Sequence, residues 1–171
     1  MESFVLSMVG ADRAGLVDAL SEVVVEHGGT WERSQMTELA GLFAGVVLVR
    51  VPADRASAFR DGLAPLREQG LLDVTVHTVA GASSEPQGEV VRFEVVGADR
   101  PGIVHEVSHA VAELGIGIVE LETWTASAAM AGSPLFRAEA VVRLPEGTTR
   151  DQLVDALEGL SNDLMVDLHA G

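Results

Sequence analysis

Eight residues recur near the middle of this chain. Residues 10–17 read GADRAGLV and residues 97–104 read GADRPGIV, 87 positions apart in 171 residues. A segment repeated at half the chain length points to two copies of one small fold, each closing its own core. The likeness extends both ways from the motif. Before it, Phe4, Leu6 and Met8 align with Val91, Phe93 and Val95, and both triplets alternate as the buried face of a strand does. After it the period changes. Leu16, Val17, Leu20, Val23, Val24 and His27 align with Ile103, Val104, Val107, Ala110, Val111 and Leu114, each set forming the apolar stripe of an amphipathic helix. Gly28 and Gly115 close the two helices.

Further on, LFAGVVLVRVP (42–52) matches LFRAEAVVRLP (135–145) at an offset of 93, so the second copy carries six extra residues within ASAAMAGSP (126–134). A second helix follows in each copy. Phe59, Leu63 and Leu66 mark the first, with Pro65 distorting its end, and Leu153, Leu157 and Leu160 mark the second. Residues 71–79 and 163–171 read as final strands. The order strand, helix, strand, strand, helix, strand predicts an α+β class: two ferredoxin-like βαββαβ domains, each an antiparallel sheet with its helices on one face. The expected domains are 1–80 and 90–171, joined by a Gly-, Ser- and Pro-rich linker over 81–89.

Composition removes several chemistries. There is no cysteine, and all 11 basic residues are arginine, which excludes thiolate nucleophiles, lysine Schiff bases and a P-loop lysine. A net charge of −15, with no local basic patch, argues against direct contact with nucleic acid or an anionic membrane. No apolar run approaches a membrane span, and the acidic Glu2 stands where a signal peptide would be basic. The expected location is cytoplasmic.

Residues 105–109 read HEVSH, the His-Glu-x-x-His pattern of zinc hydrolases. The repeat places His105 opposite Asp18 and His109 opposite Glu22, both off the apolar stripe, on a helix face expected to meet solvent. A catalytic zinc needs a third protein ligand, and His27, His77 and His169 do not follow at a suitable spacing. The reading is therefore of two exposed histidines, with no metal, no cofactor and no catalytic residue.

The repeated loop carries the functional expectation. Asp12 and Asp99 are placed to cap the helices, Pro101 suits a first helical turn with Ala14 in its place in copy one, and Gly15 and Gly102 leave room for close approach. A tight capped turn accounts for these residues without any ligand. The functional alternative adds a free amino acid, its carboxylate at a helix N-terminus and its ammonium near Asp12 or Asp99.

GADRPGIV after a strand and before an amphipathic helix, within a duplicated βαββαβ pattern, resembles ACT domains over essentially the whole chain. The longer hairpin ending in GSPLF is similar to the glycine cleavage system transcriptional repressor group, which consists of two ACT domains. The resemblance implies a small-molecule sensor, most often for amino acids. It implies domains lying side by side through their second strands, and a ligand where the first loop meets a partner domain. Transferred here, it designates Asp12, Arg13, Ala14, Gly15 and Leu16, with Asp99, Arg100, Pro101, Gly102 and Ile103. It also implies a DNA-binding activator or another protein as partner rather than DNA, and leaves a homodimer open. Ala14 departs from the usual proline, so copy one is expected to bind differently or to serve structurally. In copy two, Glu120, Glu122 and Trp124 alternate onto one strand face and, with Arg33 and Gln35, are candidates for an inter-domain site or simply a polar sheet face. Two alternatives remain beside the sensor: a ligand-independent oligomerisation module and an enzyme. For the enzyme no nucleophile–base constellation is visible.

Overall fold

The computed structural model describes residues 1–79, 87–127 and 134–170. Residues 80–86, at the expected linker, and 128–133, in the expected insertion, lie outside the described residues. The chain divides into two compact units, Met1–Glu85 and Pro86–Gly171. In the first, β1 (Glu2–Ala11), α1 (Leu16–Glu26), β2 (Thr30–Leu39), β3 (Leu42–Val51), α2 (Ala56–Gly62), α3 (Ala64–Glu68) and β4 (Asp73–Val79) follow in order. The second repeats the plan with β5 (Glu89–Ala98), α4 (Ile103–Glu113), β6 (Gly117–Ala126), β7 (Leu135–Leu144), α5 (Arg150–Glu158) and β8 (Met165–Ala170). Each unit forms one antiparallel sheet, in the orders β2-β3-β1-β4 and β6-β7-β5-β8. The expected α+β arrangement is present twice.

The alternation read from sequence decides the buried face. Phe4, Leu6 and Met8 cluster with Val47, Val49 and Val51 of β3 and with Leu16, Leu20 and Val24 of α1. Val91, Phe93 and Val95 cluster likewise with Ile103, Val107 and Val111 of α4 and with Leu153 and Leu157 of α5. One sheet face thus meets the helices in each unit. The helical stripes are narrower than expected. Val17 and Val104 are each 43% exposed, one residue past the core-facing position. Gly28 (φ 67°) and Gly115 (φ 68°) follow α1 and α4 in the left-handed conformation that closes a helix.

Pro65 does more than distort a helix end. The helical segment breaks at Leu63, and the proline sits in the first turn of α3, where its missing N–H costs nothing. In the second unit α5 is continuous and begins with a reciprocal capping box, Thr149 with Gln152.

β2 and β6 are the edge strands beside β3 and β7. Each pairing register shifts once, between Trp31 and Arg33 and between Ile118 and Glu120, so Glu32 and Val119 bulge at equivalent places in the repeat. Beyond the bulge, Glu120, Glu122 and Trp124 pair with Val141, Glu139 and Arg137, which alternate with the core residues Ala138, Ala140 and Val142. They therefore share the face away from the helices. Arg33 and Gln35 lie on the corresponding face of the first sheet, opposite Leu48 and Val46. Among the described residues no helix is long and apolar enough to cross a membrane.

Candidate functional site: the two strand-to-helix loops

Each repeated motif leaves the end of a central strand, β1 or β5, and enters the first helix. Its first glycine is set by contact. A Cβ at Gly10 would stand 2.3 Å from the Leu71 carbonyl oxygen, and one at Gly97 would stand 2.6 Å from the Leu164 side chain. At Gly10 the neighbour is backbone, so only glycine lets the loop into the last strand pass that close, whereas the Leu164 side chain can yield to a methyl at Gly97. The aspartates are then fastened to the neighbouring hairpin. The Asp12 N–H donates to the Gly41 carbonyl at 2.8 Å, and the Asp99 N–H donates to the Pro134 carbonyl at 3.0 Å.

The second glycine is set by conformation. Gly102 (φ 89°, ψ −3°) follows Pro101, and the Ile103 N–H donates to the Arg100 carbonyl at 3.3 Å. Proline second and left-handed glycine third are the signature of a type II turn. Gly15 (φ 92°, ψ 1°) adopts the same shape after Ala14, because a type II turn favours proline at its second position without requiring it. Two sequence expectations change here. Gly15 and Gly102, not Asp12 and Asp99, hold the capping positions, and no side chain caps α1 or α4. Pro101 precedes the helix instead of lying in its first turn. Beyond its chain neighbours, no protein atom comes within 4 Å of a Cβ built on Gly15, so within the protein its positive φ is what favours glycine there.

The ten designated residues consequently split. Leu16 and Ile103 are each 3% exposed and belong to the cores, so their side chains anchor the loops. Asp12, Arg13, Ala14, Gly15, Asp99, Pro101 and Gly102 are exposed and Arg100 is half-buried. The exposed residues frame two helix N-termini whose first N–H groups lack a side-chain cap.

The motif arginines diverge. Arg100 donates to both carboxylate oxygens of Glu106, at 2.6 and 2.5 Å. That bidentate bond holds the Glu106 carboxyl below its ordinary range, against a smaller opposing desolvation, and lifts Arg100 above its own. In the first copy the position of Glu106 is Ala19. Arg13, without that carboxylate, reaches across to the Gly70 carbonyl. The Gly70 turn also borders a cavity of about 220 Å³, lined by Val9, Gly10, Arg67, Gly70, Leu71, Leu72 and Asp73.

The HEVSH segment lies on α4 with both histidines exposed and their rings stacked, centroids 5.8 Å apart. Its glutamate is Glu106, already held by Arg100. No group of three metal-ligating side chains occurs among the described residues. One contact escaped the sequence reading: Ser7 Oγ lies 3.2 Å from His77 Nε2, on the helix-free face of the first sheet. No carboxylate hydrogen-bonded to His77 is present among the described residues.

Residues 2–77 match the ACT domain family model. A solved protein from Galdieria sulphuraria of unknown function is 31% identical, with 98% of this chain and 97% of that one covered at a TM-score of 0.78. The first unit belongs to the ACT-domain family, and the second repeats its βαββαβ plan. The fold is also shared, at 17% identity, with a protein whose assignment as a glycine cleavage system transcriptional repressor is itself provisional. There the TM-score is 0.75, with 99% of this chain and 98% of that one covered. An ACT domain-containing protein of Arabidopsis thaliana, ACR6, is 31% identical over 72 residues, 42% of this chain. This chain spans 15% of that relative's length. The ACT domain is a regulatory fold, and here it occurs in tandem.

Proposed function

We propose that this protein is a non-catalytic sensor of a free amino acid that signals its ligand state to a protein partner. One observation carries the reading: two motif loops each present an uncapped helix N-terminus behind a left-handed glycine. N–H groups without a side-chain cap, at the positive end of a helix dipole, suit a carboxylate. A ligand that favours one arrangement of the loops would shift the population of a surface that a partner reads. The likeness in fold to the proposed glycine cleavage repressor supports transcriptional control of amino-acid metabolism as the setting. The net charge of −15 supports contact with a protein rather than with DNA. The test is thermal unfolding against the twenty amino acids. A ligand held at ~100 Kd adds about 2.7 kcal/mol to the native state, which moves the transition by several degrees. A flat panel refutes the sensor.

A second reading is favoured by the edge strands. In β6, Ile118, Val119 and Leu121 are 41–45% exposed on an edge with no neighbour in its sheet. A ligand-independent oligomerisation module predicts a concentration-dependent mass that amino acids leave unchanged.

A further inference from the structure

The cavity beside the first loop has a charge arrangement that its counterpart lacks. Its wall is apolar, from Val9, Leu71 and Leu72, and Arg67 and Asp73 stand at its sides. Their Nε and Oδ1 atoms are 3.4 Å apart, with the side chains 74% and 56% exposed. That separation is longer than a good charge-assisted hydrogen bond, and an exposed pair of this kind is cheap to open. Arg13 adds a second guanidinium at the rim through its bond to Gly70. A volume of about 220 Å³ falls below the ~300 Å³ at which drug-sized pockets begin, and suits a metabolite of a few heavy atoms.

The second unit supplies the comparison. Gly10 packs on Leu71 and Leu72, as Gly97 packs on Asp163 and Leu164. That superposition puts Gly159 and Met165 where Arg67 and Asp73 stand, so neither charge recurs. The motif arginine there, Arg100, is bound to Glu106. There Arg100 also lies within electrostatic reach of Asp163 but is taken up by Glu106, whereas in the first unit Arg67 and Asp73 face each other loosely at an apolar groove.

We infer that this groove holds the amino acid in the first unit, with Arg67 and Arg13, in place of the helix N-terminus, receiving the α-carboxylate and Asp73 the α-ammonium. The inference rests on the sensor reading above. An α-amino acid carries its opposite charges on neighbouring groups, as the protein does with Arg67 and Asp73. Laid across the pair, the four charges alternate around a square, and each protein charge exchanges one loose contact for a direct charge-assisted one. A γ-amino acid separates its charges too widely to do this. The short apolar wall leaves space for a small side chain.

The experiment uses the full chain. Titration calorimetry is run with whichever of the twenty amino acids stabilises the protein, then with its carboxamide, its N-acetyl derivative and γ-aminobutyrate. Arg67→Gln and Asp73→Asn are each expected to weaken binding about tenfold or more, and the three analogues are expected not to bind. Because the pair is exposed, both variants should keep the wild-type unfolding temperature without ligand, which separates lost binding from lost fold. Undiminished affinity in both variants overturns this inference and leaves the sensor standing. So does equal binding of the N-acetyl derivative. No binding by any of the twenty overturns both.

Discussion

Replacing Gly10 and Gly15 separately by alanine tests whether two glycines five residues apart are needed for different reasons. At Gly15 the added methyl meets nothing within 4 Å, so the cost is conformational, set by φ 92°. Holding an L-residue left-handed costs about 1–2 kcal/mol, and the stiffer unfolded chain returns roughly 0.4–1 kcal/mol. The expected net loss is about 1 kcal/mol. At Gly10 the backbone has no positive φ, but the methyl would lie 2.3 Å from the Leu71 carbonyl oxygen. A backbone atom cannot swing aside as a side chain can. The loss should therefore approach or exceed the upper end of the ~1–3 kcal/mol seen for overpacking. The two tryptophans make the measurement local. Trp31 packs against the first core and Trp124 belongs to the second unit, so fluorescence of a Trp124→Phe background follows the first unit alone. Urea titrations analysed by midpoint and slope give the two losses. A Gly10→Ala variant within about 0.5 kcal/mol of its parent, or costing less than Gly15→Ala, would refute the contact argument.

Phe59→Ala should cost the first unit ~3–5 kcal/mol by the same titration, because Phe59 is fully buried and its ring lies 5.8 Å from that of Phe4. Glu106 has a carboxyl lowered by Arg100, so its contribution is present above the unfolded carboxyl range and is lost as pH falls through the lower, folded value. Stability of the second unit in wild type and Glu106→Gln should thus differ at neutral pH and converge in acid; a gap that widens in acid would contradict the sign. Dialysis against EDTA should leave the unfolding temperature unchanged, since Glu106 is occupied and no three-ligand cluster occurs among the described residues. A drop that zinc restores would return HEVSH to consideration as a metal site.

Sequence patterns exposed most of the fold because its determinants are local or periodic. The 87-residue repeat shows the duplication, alternation in β1 and β5 marks the buried sheet face, and helical spacing marks α1 and α4. What stayed hidden depends on residues distant in sequence or on the shape of a single turn. The role of Gly10 is set by Leu71, the direction of Arg13 by Gly70, and the Arg67–Asp73 pair by a turn that no periodicity records. The aspartates were misread as caps for a different reason. Asp before a helix is the common signal, but the type II turn leaves Arg100, Pro101 and Gly102 between Asp99 and the helix, and places glycine at the cap. His27 lay between the two cases. Its stripe position was readable, but its half-buried ring, edge-on to Phe59 with Nδ1 2.8 Å from the Val23 carbonyl, was not.

The paired bulges at Glu32 and Val119 bear on how this chain behaves when crowded. Sheets with edge strands of unlike sequence, β2 and β4 in one unit and β6 and β8 in the other, could add further copies head to tail without closing, and so grow into fibres. Interrupting each outer strand at the same place twists the ladder and restricts any in-register neighbour to Arg33–Leu39 or Glu120–Ala126. Two glutamates, Glu120 and Glu122, then stand within one of those short stretches, where a copy of the same strand would meet like charge. Duplication doubled the edges that must be guarded, and each copy inherited its guard at the same position.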